Sequence, residues 1–278
     1  MSAALLAWVV AMASTGSVAS KDAVEIAFTD SGRGEPALVL VHCWTCDRGL
    51  WDAQVPRLSR QRRVVRLDLA GHGASGQQRA TWSVETFGDD VVAVVEALKL
   101  KRVILVGHSM GGHVCLDAAR KLGSRCVGIV PVDTLFDFEE RMPSEEIETF
   151  LAPFETDYPK AAEGFVRQYL FVPTSPAEVV EAVVSRTRAA PKAMAVAALR
   201  DVWSYDSAAA ADRVTVPIHA INGDRYPTNV EANRRHASGY RVSYIKGTGH
   251  YPMLEAPERF GELLEEVVRS LTGPAPRP

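Results

Sequence analysis

Short runs of apolar, largely β-branched residues recur along the chain at Ala37–Val41, Val64–Leu67, Val103–Val106, Val127–Val132, Val216–Ile221 and Val242–Ile245. Runs of this length without polar alternation suit strands buried on both faces of a parallel sheet. Between them the apolar positions take a helical spacing, at Val84–Leu98, Met110–Leu122 and Pro257–Leu271. Strand and helix in alternation predict an α/β fold, a mostly parallel sheet with helices on both faces and right-handed crossovers. The alternation stops between about Leu135 and Asp212, where four helix-like segments begin near Pro143, Pro159, Pro176 and Pro191. Proline suits a helix start because the N–H it lacks has no helical partner there. An all-helical insertion after a strand predicts a cap over the strands' carboxyl ends, where ligands bind in open α/β sheets.

The first twenty residues are a different kind of polymer, with no Asp, Glu, Lys or Arg. Ala3 to Ala13 is almost wholly apolar, and Ser14 to Ser20 is small and polar, with Ser17-Val18-Ala19 or Val18-Ala19-Ser20 fitting a small-x-small cleavage site. This predicts a signal peptide over residues 1–20, hence a periplasmic or secreted protein if it is cleaved and a cytoplasmic one otherwise. The apolar run is shorter than the ~20 residues a bilayer core requires, so no stable membrane span is expected in the mature protein. The chain then divides into a first core segment (21–134), the cap (135–212), a second core segment (213–272) and a Pro-rich tail (273–278) expected to be disordered.

Composition narrows the partner. With 47% apolar and 23% charged residues and a net charge of -3, the chain is globular and has no basic footprint for nucleic acid or an acidic membrane. A small molecule is the expected ligand. Cys43, Cys46, Cys115 and Cys126 are too few for a disulfide scaffold, and Cys43-x-x-Cys46 has no second pair at zinc spacing, so no metal is expected. The glycine-rich segments lack the spacing of a phosphate loop or a dinucleotide fingerprint, so no cofactor is expected. Nothing in the sequence sets an oligomeric state.

The chemistry starts at Val103-Ile-Leu-Val-Gly107-His108-Ser109-Met110-Gly111-Gly112, a buried strand running through G-x-S-x-G into a helix. A serine on so tight a turn needs small neighbours, which Gly107 and Gly111 supply. The turn lifts the Ser109 hydroxyl above the sheet, near helix N–H groups able to stabilise an oxyanion. Serine needs a base, and in this architecture the base follows it in the chain. Of the later histidines, His113 lies on the elbow helix, His219 in a strand and His236 in a polar helix-like stretch. His250 lies in Gly247-Thr-Gly-His250-Tyr-Pro-Met, a glycine-flanked loop after the last strand, from which it can reach the elbow.

With Leu40-Val-His42 at a strand end, Asp68-Leu-Ala-Gly71-His72-Gly73-Ala-Ser75, the elbow and Gly249-His250-Tyr-Pro-Met-Leu-Glu-Ala-Pro257, the chain from about Val24 to Leu271 resembles the α/β-hydrolase superfamily. The resemblance implies an α/β-hydrolase fold with a helical cap, Ser109 as nucleophile, His250 as base, His42 as part of the oxyanion motif, and the N–H groups of Trp44 and Met110 as the oxyanion hole. Asp68 resembles a turn-stabilising aspartate. Cys43 departs from the glycine usual after the histidine and adds a side chain beside that hole.

The acid is open between two residues. The usual position, three residues past a glycine after the penultimate strand, holds Tyr226, with Asp224 offset from it. The other position the superfamily uses, the end of the strand after the elbow helix, holds Asp133 in Val127-Gly-Ile-Val-Pro-Val-Asp133. Strand-end geometry favours Asp133, from which a carboxylate can fix the histidine tautomer.

A serine nucleophile argues against the aspartate chemistry of dehalogenases and epoxide hydrolases, and for acyl transfer to water. The expected activity is hydrolysis of a small or medium carboxylic ester or lactone, with Trp44, Leu135, Phe136, Phe154 and Trp203 as pocket candidates. A carbon–carbon bond hydrolase, an acyltransferase, a cofactor-free haloperoxidase-like enzyme and a small-molecule binding protein with little turnover stand as alternatives on the same fold.

Overall fold

Eight strands pair into one sheet among residues 13–272, the part of the chain that the computed structural model describes. They are β1 (Ser14–Ala19), β2 (Glu25–Ser31), β3 (Ala37–Val41), β4 (Val64–Leu67), β5 (Val103–His108), β6 (Cys126–Val132), β7 (His219–Gly223) and β8 (Arg241–Ile245). Their spatial order is β1-β2-β4-β3-β5-β6-β7-β8. The pairs β1 with β2 and β2 with β4 are antiparallel, and every pair from β4 to β8 is parallel. The carboxyl ends of β3, β5, β6, β7 and β8 therefore open on one side, and the functional loops leave from there.

Alternate residues of the central strands serve the two faces. Val39, Val41 and Leu105 pack with Phe87, Val91 and Val94 of the helix Val84–Ala97. Leu38, Leu40, Ile104 and Val106 pack with Trp51 and with Phe260, Leu264 and Val268 of the helix Pro257–Thr272. Both layers exclude water from strands covered on both sides, at about 1.5–3 kcal/mol for each large apolar side chain fully buried.

Three strand readings change. The run expected at Val216–Ile221 pairs as β7 three residues later, with Ile218 making an isolated bridge to Ile129. Pro217 has no N–H to give a ladder and holds the start of the strand back. β2 mixes buried and partly exposed positions, unlike the uninterrupted runs. β1 consists of the small polar residues assigned to the end of a leader; here they pair with β2 from Ser14 opposite Asp30 to Ala19 opposite Glu25. Ser20 follows, its hydroxyl donating 2.7 Å to the fully buried Asp90, which also receives Ala70 N–H and the Arg79 guanidinium. Removing residues 1–20 would take away β1 and this bond. The apolar residues of the expected leader up to Met12 and the Pro-rich tail 273–278 lie outside the described residues.

Between β6 and β7 the chain runs through the helices Ser144–Thr156, Tyr158–Phe165, Ala177–Ala189, Lys192–Ser204 and Ser207–Ala211. Pro143, Pro176 and Pro191 cap three of them, and Pro159 sits in the first turn of the second. Tyr158–Phe165 continues into a π-helical turn, Val166–Leu170. Phe150, Phe154, Phe165 and Trp203 form an aromatic cluster in this insertion, and the Trp44 ring meets it edge-on at Phe154 and Phe165. The Trp44 indole N–H donates 2.8 Å to the Ala195 carbonyl, tying the cap to the loop after β3. No helix among the described residues is long and apolar enough to cross a membrane.

Candidate active site

Ser109 stands between β5 and the helix Met110–Leu122 with φ 53° and ψ -120°, a conformation disfavoured for a residue with a side chain. Neighbouring structure holds it there. Its N–H donates 3.0 Å to Val132 O of β6, and its carbonyl accepts from Gly112 N–H at 2.8 Å. The flanking glycines are required by contact: a Cβ on Gly107 would lie 2.1 Å from Gly111 O, and one on Gly111 would lie 2.6 Å from His42 O. The elbow helix can approach β3 and β5 only without those side chains.

Asp133, the residue after β6, faces His250 across the loop ends. Its Oδ2 accepts from His250 Nδ1 at 2.6 Å and its Oδ1 from Gly223 N–H at 2.7 Å. Asp133 is only 4% exposed and takes φ 47°, with its own N–H bound to Ile221 O at 2.9 Å. A carboxylate on the Nδ1–H side fixes the imidazole tautomer and leaves Nε2 as a proton acceptor. Asp224, the alternative acid, has an exposed carboxylate that accepts from Gly247 N–H at 2.9 Å, and His250 Nδ1 bonds Asp133 instead. Tyr226, in the usual acid position, is 40% exposed and packs on Phe136.

The other histidines have separate tasks. His42 follows β3. It is fully buried, outside the cavity wall, with Nδ1–H donating 2.7 Å to Cys43 O and Nε2 accepting from Leu69 N–H at 3.0 Å. It shapes the turn that presents Trp44. His72 supports the same turn, accepting Thr45 N–H at 3.3 Å. His108 donates from Nε2 to the His250 carbonyl at 2.7 Å, and burial pushes its pKa well down. His113 bonds Ser207 and Thr134, His219 bonds Ser243, and His236 pairs with Asp212 and Glu139.

Ser109, Met110, Trp44 and His250 share one cavity of about 180 Å³. Met110 is the first residue of its helix, so its N–H lies outside the helical ladder. Trp44 sits in a turn closed by Cys46 N–H to Cys43 O at 3.2 Å. The remaining wall is Cys43, Tyr251, Phe165, Leu170, Leu199, Val202 and Trp203, with no Asp, Glu, Lys or Arg among the lining residues. Of the pocket candidates, Trp44 and Trp203 line it. Phe154 packs behind Trp44, Leu135 is in the core, and Phe136 lines a separate surface cleft. The liners missed from the sequence are mostly cap residues, whose inward face is set by how the cap packs.

Cys43 is 1% exposed, with its sulfur 3.8 Å from the Tyr251 hydroxyl; burial and the neighbouring Cys46 push its thiol well up, so it is neutral and narrows the cavity. All four cysteines are buried and free.

Residues 38–263 match the model of the alpha/beta hydrolase family. The chain is 30% identical over 252 residues to the pimeloyl-(acyl-carrier protein) methyl ester esterase of Methylococcus capsulatus, covering 86% of this chain and 97% of that protein. It is 26% identical over 242 residues to the karrikin insensitive 2 receptor IA of Petunia hybrida, covering 82% of this chain and 88% of the receptor. Among solved structures, a thermophilic esterase from Thermogutta terrifontis superposes with a TM-score of 0.80 at 25% identity, over 93% of this chain and 99% of that one. With its sheet, elbow and insertion laid out as above, the chain belongs to the alpha/beta hydrolase family.

Proposed function

We propose that the protein is a serine hydrolase that cleaves a small, uncharged carboxylic ester or lactone through an acyl-enzyme on Ser109. The observation that carries this reading is the 2.6 Å bond from His250 Nδ1 to buried Asp133, in a site where His250 and Ser109 line one cavity. His250 Nε2 takes the Ser109 proton as the hydroxyl attacks the carbonyl, and Asp133 stabilises the imidazolium. The N–H groups of Trp44 and Met110 meet the oxyanion, and collapse of the tetrahedral intermediate expels the alcohol with the proton from His250. Water, deprotonated by the same imidazole, releases the acid.

The similarity to two esterases supports the ester bond, and the cavity supports the acyl size. A 150 Å³ apolar cavity holds a benzene-sized molecule, so about 180 Å³ accepts an apolar group of roughly six to eight non-hydrogen atoms. With no charged side chain in the wall, an ionised acyl tail would be buried unpaired, a large cost. For p-nitrophenyl esters, kcat/KM is therefore expected to peak at butyrate or hexanoate and to fall at least about tenfold at decanoate. Steady-state kinetics across that series tests this, and a rate still rising at decanoate contradicts it.

A second reading, a small-molecule receptor with slow turnover, is favoured by the similarity to the Petunia receptor together with the small capped cavity. Stoichiometric acylation of Ser109 without multiple turnover of any ester in the series would select it.

A further inference from the structure

The loop carrying His250 is held by three consecutive N–H groups. Gly249 N–H donates 2.8 Å to Glu255 Oε2, His250 N–H donates 2.7 Å to Leu170 O, and Tyr251 N–H donates 3.0 Å to Glu255 Oε1. One half-buried carboxylate, five residues beyond the histidine, thus brackets it on both sides. The same Oε2 accepts from the Ser175 hydroxyl at 2.5 Å, and that hydroxyl in turn accepts from Val172 N–H at 3.0 Å. Ser175 and Leu170 both belong to the insertion between β6 and β7.

We infer that Glu255 is a positioning residue for the reaction: it sets His250 from behind and makes that setting depend on the seating of the cap. The inference rests on the reading of His250 as the base. The chemistry of the group explains why a carboxylate is needed. An ionised carboxylate is acceptor-only, so each oxygen can face a loop N–H while one takes the Ser175 proton as well. A glutamine offers one oxygen and one NH2, and the NH2 opposes an N–H donor. The Gln variant keeps size and shape but releases one bracket; Ala releases both and frees Ser175. Because Asp133 grips only the imidazole, a shift of the loop backbone tilts the ring about that contact and moves Nε2 relative to Ser109.

The test uses the full chain and p-nitrophenyl butyrate, with kcat and KM measured separately and thermal midpoints and circular dichroism as folding controls. Glu255→Gln is expected to lower kcat roughly 10- to 100-fold with KM changed by less than about threefold, the signature of a misplaced group and not of lost substrate contacts. Glu255→Asp, which keeps the charge but shortens the reach, is expected to recover part of kcat. Ser175→Ala leaves both brackets in place and removes only the cap link; a loss of severalfold in kcat is expected, and this variant stands as the test if the Glu255 variants do not fold. A folded Glu255→Gln with kcat within twofold of the parent overturns the inference, as does Ser175→Ala at parental kcat where Glu255 variants do not fold. If His250→Ala keeps turnover, the reading of the base fails and takes the inference with it; if His250→Ala is inactive while Glu255→Gln is unimpaired, the inference alone fails.

Discussion

Asp133→Asn is expected to lower kcat about 10³- to 10⁴-fold, while Asp224→Asn leaves it within about threefold. The asparagine would retain the volume of the carboxylate but offer His250 either an amide oxygen without charge or an NH2 that opposes Nδ1–H. The wrong tautomer then turns Nε2 into a donor toward Ser109, and the imidazolium loses its counter-charge. Nothing nearby replaces Asp133, because Asp224 is committed to Gly247 N–H on the exposed side of the loop. Steady-state hydrolysis by the two purified variants decides the matter. The reverse order of effects would mean that the loop after β7 supplies the acid.

The second large effect is on stability. His42 and His72 are buried and His113 is partly buried; desolvation keeps all three neutral and lowers their pKa values from 6.5 to about 4, about 3 and about 4. The His42 and His72 rings lie 4.8 Å apart, so a proton on either opposes one on the other. In the unfolded chain each titrates near 6.5. As pH falls below that value the unfolded state takes up protons that the folded state refuses, so stability present above pH 6.5 is lost down to pH 4, at about 3 kcal/mol for each group. His236 is shifted the other way by its bond to Asp212, and its contribution is already complete below pH 6.5, so it does not offset this loss. A domain in the lower part of the ordinary range, about 5–9 kcal/mol, should therefore unfold between pH 6 and 4. Urea midpoints measured at pH 7, 6 and 5 are expected to fall steeply, and His113→Gln, which removes one titrating site, should reduce the slope by roughly 1.4 kcal/mol per pH unit. Stability that is flat from pH 7 to 5 would contradict the neutral, buried state of these rings.

The parts of the fold legible in the sequence are those where one physical demand fixes the residues. Strands covered on both faces need unbroken apolar runs, which is why β3 to β6 stand out, whereas β8 lies at the sheet edge and leaves Arg241 and Tyr244 exposed. The elbow announces itself because backbone atoms lie within 2.6 Å of where a Cβ on Gly107 or Gly111 would sit. Asp133 is readable from its place at the end of β6, since a strand end fixes where the next side chain goes. β1 and β2 are not: β1 is an edge strand, which tolerates polar residues, and Ser14–Ala19 has the composition of a leader's end, while β2 mixes buried and partly exposed positions. The bonds of His42 are not legible either, because the backbone groups that occupy its two nitrogens belong to the turn beside it and to a loop 27 residues on. The cavity wall was half missed for a similar reason: Phe165 and Leu170 face the site through the packing of the cap, while Phe154, equally aromatic, turns behind Trp44. Glu255 left only a faint signal, a lone carboxylate at a short fixed distance after the histidine.

Intact-protein mass spectrometry with a fluorophosphonate tests Ser109 as the acyl-bearing nucleophile. A single adduct is expected on the parent protein, mapped by peptide sequencing to Ser109, with loss of p-nitrophenyl butyrate turnover in proportion to labelling, and neither adduct nor turnover in Ser109→Ala. An adduct on another residue, or a Ser109→Ala variant that still hydrolyses the ester, would contradict it.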